Sequence, residues 1–231
     1  MASTTRNTKN SSRSSKSEST AETLTDRAYT GIEELIVTLQ LAPGAAVSEQ
    51  MLAERLGIGR TPIREALQRL ARERLVTILP RRGVVVSAID VAAQLRLLEV
   101  RRALERLVAR GAARRATEAE RGRFAELARL FEKAARTGDD QTFMRVDREF
   151  NELCQAAVKN EFAAGAMGLM NSLSRRFWFH HYKQAADMPE TAKLHADIAR
   201  AIAEGDEEAA GAALDRLLDN IHTFTRATLG V

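Results

Sequence analysis

Two short amphipathic segments joined by a three-residue turn constrain the fold of this chain more than any other feature. The first segment covers residues 50–56 and stops at Gly57, and the second restarts after Gly59 and runs to about Arg74. Glycines allow so short a turn to adopt backbone angles that are costly for other residues. Two helices connected in this way are typical of a helix-turn-helix.

Capping residues mark where these helices begin. Ser48 is a suitable N-cap for the first helix, while Thr61 followed by Pro62 predicts an N-cap and a first helical residue for the second. A preceding helix is expected over about 25–40, because apolar residues recur there at helical spacing before the turn Pro43-Gly44.

Two β-branched runs follow the second helix. Residues 75–79 and 84–86 predict two strands, and Pro80-Arg81-Arg82-Gly83 between them predicts a hairpin with a basic tip. A helix-turn-helix followed by a basic hairpin is the winged form, and Lys and Arg outnumber Asp and Glu only before residue 89. Double-stranded DNA is therefore the expected partner of this part of the chain.

One face of the second helix carries the groups that a DNA-reading helix needs. Arg60, Arg64 and Gln68 lie four residues apart, opposite an apolar stripe. Arginine forks match the O6 and N7 acceptors of guanine, whereas the N-terminus of a helix suits a phosphate. The alternative is a solvated charged face. The residues that we predict to bind DNA are Arg60, Thr61, Arg64, Gln68, Arg81, Arg82 and Gly83.

This pattern resembles a known family. Residues 41–87 are similar to the winged helix-turn-helix of GntR-family regulators in the Pro-Gly turn, the LAERLG helix, the RTPIREAL segment and the wing glycine. The resemblance implies base and phosphate contacts by Arg60 and Arg64, a backbone contact by Thr61, and Gly83 at the wing tip. Gly59 departs from the pattern, since most relatives carry Ser or Thr there, which implies a missing hydroxyl contact to DNA.

The sequence after Asp90 predicts helices only. Asp90 caps a helix to about Arg115, and the capping box Thr117–Glu120 opens the next, to about Arg136. Further helices are expected over roughly 140–158, 160–183, 189–204 and 206–228. The predicted fold class is therefore mostly α, with an N-terminal winged helix-turn-helix, a small β-hairpin wing and a C-terminal all-α bundle.

These elements divide the chain into three parts. Residues 1–22 are rich in Ser and Thr and are expected to form a disordered tail. Residues 23–88 are expected to form the DNA-binding domain, and residues 89–231 the all-helical domain.

The helical part is similar to the FCD domain of the FadR-type branch of that family, in RRALE at 101–105, DREFN at 147–151 and the segment around His195. The resemblance implies an effector-binding and dimerisation domain that senses a small organic acid. Many such domains hold a divalent metal through one Asp and three His. This chain keeps Asp147 and His195, but it has Asn151 and Leu217 where the other two ligands are expected.

Polar side chains also interrupt apolar seams in this part. Asp147 and Asn151 fall within the seam of one helix and His195 within that of another. Buried polar groups need partners, so they indicate either a ligand or a structural Asp–His pair. Arg101, one turn before Glu105, predicts either an anion clamp or an intrahelical salt bridge. The predicted effector site is Arg101, Asp147, Asn151 and His195, with Asp147, Asn151 and His195 a weak alternative metal set.

Other classes of protein are not expected. No apolar run approaches the roughly 18 residues that span a bilayer, and the N-terminus lacks the apolar stretch of a secretory signal, which favours the cytoplasm. Cys154, the single cysteine, lies in an apolar pattern and is interpreted as a core residue. Phosphate loops and HExxH spacing are absent from the sequence, so no catalytic residue is assigned. The prediction is a homodimeric repressor with no certain cofactor.

Overall fold

Helices dominate the part of the chain that the computed structural model describes, residues 23–81, 83–185 and 187–230. The predicted tail, 1–22, and Arg82 lie outside the described residues. The N-terminal elements are α1 Leu24–Val37, β1 Ala46–Val47, α2 Glu49–Leu56, α3 Arg60–Arg72, β2 Val76–Leu79 and β3 Gly83–Val86. The C-terminal elements are α4 Val91–Arg115, α5 Glu118–Thr137, α6 Asp140–Ala157, α7 Glu161–Ala185, α8 Met188–Glu204 and α9 Glu207–Ala227, followed by a 3₁₀ turn Thr228–Gly230.

Local capping explains most helix boundaries. The Ser48 hydroxyl accepts a hydrogen bond from the Met51 amide, as predicted for the start of α2, and Thr117 with Glu120 forms the predicted capping box of α5. The prediction of Thr61 as the N-cap of α3 is wrong. Gly59 is the N-cap, because its backbone is extended while Thr61 already lies in the first helical turn.

The three strands form one antiparallel sheet in the order β1-β3-β2. The predicted hairpin pairs β2 with β3, with Leu79 opposite Gly83. Arg81 in the connection and Gly83 at the start of β3 both have a positive φ, which bends the chain tightly at the wing tip. Strand β1 was not predicted, because two residues are too short to show an alternating pattern.

The described residues form two separate hydrophobic cores. The N-terminal core includes Ile32, Leu52 and Ile63, and the C-terminal core is formed by the six helices from α4 to α9 around residues such as Phe131 and Ile198. Cys154 belongs to the second core, and burial raises the pKa of its thiol, as expected for a packing residue. Helix α1 packs against both α3 and α7, so it connects α3 to the C-terminal bundle.

Candidate functional sites

The exposed face of α3 presents the side chains that the sequence predicts to bind DNA. Arg60, Thr61, Arg64 and Gln68 are exposed, and the opposite face is buried through residues such as Ile63 and Leu67. The side chains of Arg60 and Arg64 remain 65% and 59% exposed. Burial of one face therefore fixes the orientation of the helix and leaves the predicted contact residues accessible.

Glu49, at the first position of α2, holds the two arginines of this face. Arg64 donates from Nε to Glu49 Oε1 and from Nη2 to Oε2, both at 2.8 Å, and Arg60 Nη2 lies 3.4 Å from Oε2. The hydrogen bonds from Arg64 hold the pKa of Glu49 below its usual range. Exposed ion pairs contribute about 0–1 kcal/mol, so DNA phosphates or guanine acceptors can replace Glu49 at low cost.

The N-terminus of α3 and the wing tip complete the surface. Gly59 makes no side-chain capping bond, so the first amide groups of α3 have no cap from a side chain and are suited to a phosphate. Arg81 and Gly83 are exposed at the wing, as the sequence predicts for groups that approach DNA.

A cavity of about 80 Å³ lies in the C-terminal bundle, between α4, α6, α7, α8 and α9. The structure places all four predicted effector residues, Arg101, Asp147, Asn151 and His195, in its lining. The sequence pointed to Glu105 as a partner of Arg101, but it singled out none of the other polar lining residues: Gln94, Asn171, Ser174, Arg175 and Thr191. Its apolar lining includes Phe143, Phe150, Trp178, Leu217 and Phe224.

His195 and Asp147 form a buried pair at this cavity. His195 Nδ1 lies 2.8 Å from the Thr191 carbonyl oxygen, and because a carbonyl only accepts, Nδ1 carries a proton. His195 Nε2 faces Asp147 Oδ1 at 3.2 Å. Burial raises the pKa of Asp147, but the hydrogen bond and charge of His195, with the charges of Arg175 and Arg101, bring this pKa below its usual value. Asp147 is therefore held as a carboxylate.

Asn151 and Arg101 are both engaged within the site. Asn151 Nδ2 donates to the carbonyl oxygen and to Oδ1 of Asp147, at 2.8 and 3.1 Å. Arg101 Nε donates to Glu105 Oε1, and its Nη2 lies 3.2 Å from Oε2, with both side chains nearly buried. The intrahelical salt bridge that sequence reasoning left open is present, so an anion that binds Arg101 must compete with Glu105.

The donor set does not fit a resident metal ion. Asp147 Oδ1 already accepts from His195 and Asn151, and Leu217 contributes an apolar side chain to the lining. Among the described residues there is no group of three or more His, Cys, Asp or Glu side chains that could hold a metal ion. One imidazole and one carboxylate are too few protein ligands for a structural or catalytic zinc site.

Arg175 and Ser174 of α7 add a polar corner that sequence reasoning did not assign. Arg175 donates from Nη1 to Oε1 of Glu33 in α1, at 2.9 Å. Its Nε and the Ser174 Oγ are buried and have no hydrogen-bond partner among the described protein atoms. The only sequence signal was the concentration of basic and aromatic residues at 175–182, which does not identify the side chains that face the cavity.

Both parts of the chain match known family models. Residues 24–86 match the model described as "Bacterial regulatory proteins, gntR family", and residues 96–220 match the FCD domain. None of the helices in the described ranges is long and apolar enough to cross a membrane.

Curated relatives agree with these matches. The HTH-type transcriptional repressor RspR of Escherichia coli K12 is 26% identical over 191 residues, which cover 83% of this chain and 84% of that protein. An uncharacterized HTH-type transcriptional regulator in an unstable DNA locus of Streptomyces ambofaciens is 48% identical over 64 residues. This second match covers only 28% of this chain and 27% of that protein.

Solved structures share the fold. E. coli McbR/YncC has a TM-score of 0.75 at 20% identity, covering 90% of this chain and 99% of that chain. A putative transcriptional regulator GntR from Rhodococcus sp. RHA1 has a TM-score of 0.63 at 24% identity, covering 88% of this chain and 97% of that chain.

Proposed function

The chain belongs to the GntR family of bacterial regulatory proteins and carries an FCD domain, and we propose from this premise that it is a repressor controlled by a small carboxylate-bearing metabolite. It is a DNA-binding transcriptional regulator of a family whose members are regulators rather than enzymes. We assign residues 23–88 to operator binding and 89–231 to effector binding and dimerisation, and such a regulator would act in the bacterial cytoplasm.

The single observation that carries the operator-binding role is the exposed polar face of α3. Four predicted contact residues share it, the helix N-terminus lacks a side-chain cap, and the wing lies at the end of the adjoining sheet. A helix with this geometry fits the major groove, where arginine forks distinguish guanine from other bases.

We expect Arg64→Ala to weaken specific operator binding by about 1–3 kcal/mol, because each bidentate arginine–guanine pair discriminates by that amount. Arg60→Ala should have an effect in the same range. Both side chains are exposed, so the melting temperature should hardly change. Fluorescence anisotropy with labelled operator DNA measures the affinity, and Arg129→Ala, an exposed arginine of α5, is the matched control. Unchanged affinity in Arg64→Ala would show that α3 is not the recognition helix.

The effector role is supported by the size and lining of the bundle cavity. About 80 Å³ holds on the order of five water molecules, or a ligand of similarly few non-hydrogen atoms. Arg101 and Arg175 place guanidinium groups in the lining, where a carboxylate can compete with Glu105 and Glu33 for their donors. Apolar walls such as Phe143 and Trp178 suit a short carbon chain.

A screen of small carboxylic acids against the operator complex tests this role. At least one acid should change the operator dissociation constant by about 5–150-fold, the usual range of allosteric coupling. The operator is first selected from fragments of the bacterial genome with the purified full-length protein. If no acid changed the affinity, the effector-controlled function would be wrong and constitutive DNA binding would remain.

Homodimerisation is proposed from exposed apolar residues on two helices that pack against each other, α4 and α7. Val100 and Leu107 lie two turns apart on α4, and Phe162 and Leu169 lie two turns apart on α7. These four side chains are between 47% and 82% exposed. Covering these side chains with a second copy would remove apolar area from water, and a two-fold dimer matches the symmetry of an inverted-repeat operator.

A further inference from the structure

Two adjacent arginines of α7 connect the pocket to the N-terminal domain. Arg175 donates to Glu33, and its Nη2 lies 3.7 Å from Glu34 Oε2, so it reaches two acidic residues of α1. Arg176 donates from Nη1 to the Ser87 carbonyl and from Nη2 to the Ala88 carbonyl, at 3.0 and 3.1 Å. These carbonyls belong to the connection between β3 and α4. This turn of α7 therefore holds both α1 and the interdomain connection.

Arg175 also belongs to the pocket. It lines the cavity beside Ser174, and its side chain is only 13% exposed. Its Nη1 donates a hydrogen bond to Glu33, whereas its Nε and the neighbouring Ser174 Oγ are buried without a hydrogen-bond partner. Buried donors are normally satisfied, so two neighbouring unsatisfied donors in one cavity lining indicate a ligand acceptor. A carboxylate oxygen suits both, since it accepts from N–H and O–H groups.

Glu33 joins Arg175 to α1 in the N-terminal domain. Glu33 is 3% exposed, and a buried carboxylate that loses its partner is strongly destabilising. One turn earlier on α1, the Tyr29 hydroxyl donates to Glu73 Oε2 at 2.7 Å, just beyond the end of α3. A change in the Arg175–Glu33 contact therefore acts on the helix that supports α3.

We propose that Ser174 and Arg175 form an anion subsite of the pocket, in which a bound carboxylate shares the Arg175 guanidinium with Glu33. The inference rests on the proposed function, because it names the group that anchors the effector and the contact that couples it to α1. Two carboxylates on one guanidinium repel each other, so each weakens the attachment of the other. By linkage, binding at the subsite loosens α1, and loosening α1 tightens binding.

The single tryptophan of the chain reports on this subsite. Trp178 lines the same cavity, so its fluorescence measures occupancy in the full-length protein. The probes are acetate, malonate and succinate, titrated at constant ionic strength. At least one acid should give a saturable change in fluorescence. Ser174→Ala should lower the affinity for this acid about fivefold. Arg175→Lys should lower this affinity about tenfold, because lysine keeps the charge but cannot donate two parallel hydrogen bonds to a carboxylate.

Glu33→Gln tests the coupling separately. Removing the competing charge should tighten carboxylate binding about fivefold, at the lower end of usual allosteric effects. Arg148→Lys is the matched control, since Arg148 contacts Glu34 on the same helix but is not among the cavity-lining residues. The affinity of this variant for the carboxylate should stay within about twofold of the wild-type value, because altering an exposed ion pair has only a small effect.

Each component of the proposal has its own contrary result. Saturation by none of the three acids, or unchanged affinity in Ser174→Ala, would overturn the subsite. Unchanged or weaker affinity in Glu33→Gln would overturn the coupling. If an acid saturates the Trp178 signal but leaves the operator dissociation constant unchanged, the proposed effector function is contradicted instead. Thermal melting followed by circular dichroism checks that each variant is folded. If Arg175→Lys does not fold, Ser174→Ala still tests the subsite, because it removes only one oxygen atom.

Discussion

Replacing His195 by alanine is expected to destabilise the C-terminal bundle by about 3–5 kcal/mol, the usual cost of leaving a buried carboxylate without its partner. The imidazole is 9% exposed and lies opposite Asp147, so its removal leaves a buried carboxylate without its main partner. It also removes a ring whose centroid lies 5.1 Å from that of Phe131 and 5.5 Å from that of Phe143. Part of the loss is therefore a packing cost.

Urea unfolding followed by circular dichroism measures this change. The midpoint should fall while the slope stays constant, which is the signature of lost stability rather than an altered unfolded state. Asp147→Asn is the matched control, because it keeps the side-chain shape and allows a neutral His195 to keep its bond to Thr191. We expect this control to cost about 1–2 kcal/mol. A loss below about 1 kcal/mol in His195→Ala would contradict a buried Asp147 carboxylate that depends on His195 as its partner.

The same variant separates effector sensing from DNA binding. His195 lies in the C-terminal core, whereas the α3 surface rests on the N-terminal core. Below its melting temperature, His195→Ala should therefore bind the operator almost as tightly as the wild type and no longer respond to the effector. Equal stabilisation of both proteins by a carboxylate would place the effector site elsewhere.

Local sequence signals predicted the fold well because they act within one helical turn. Asp90, Thr117 and Ser48 cap their own helices, so a reader of the sequence finds these boundaries without knowing the tertiary structure. The N-cap of α3 was misplaced because Gly59 caps through its backbone angles alone and offers no side-chain signal. Thr61 is a better N-cap by residue type, but it lies two residues beyond the N-cap position that Gly59 occupies.

The sites were predicted only where their residues interrupt a regular pattern. Asp147 and His195 break apolar seams, so their meeting at one cavity follows from helix periodicity. The Arg64–Glu49 and Arg175–Glu33 contacts instead join residues 15 and 142 positions apart. Such pairs depend on how whole helices pack, and a single sequence carries no local trace of them.

Disrupting the proposed dimer face should have the largest effect on operator binding. Leu107→Glu places a charge in the exposed apolar residues of α4 and α7 without touching the buried core. If a second copy covers this face, burial of an unpaired carboxylate prevents association. Two linked DNA-binding modules gain about 10²–10⁴-fold in affinity over one, and this gain should be lost. Sedimentation velocity should show a monomer, with operator binding weakened by at least about 100-fold.

A matched charge change elsewhere separates this effect from a general loss of affinity for polyanionic DNA. Gln141→Glu adds one negative charge to an exposed position in the first turn of α6, far in sequence from the proposed face. Acidic residues are favourable at a helix N-terminus, so this variant should fold normally and remain a dimer. Repulsion between one added charge and DNA is screened within about 10 Å at ordinary ionic strength, so its operator affinity should stay close to that of the wild type. A Leu107→Glu protein that stayed dimeric and bound the operator equally well would show that the two copies associate through another surface.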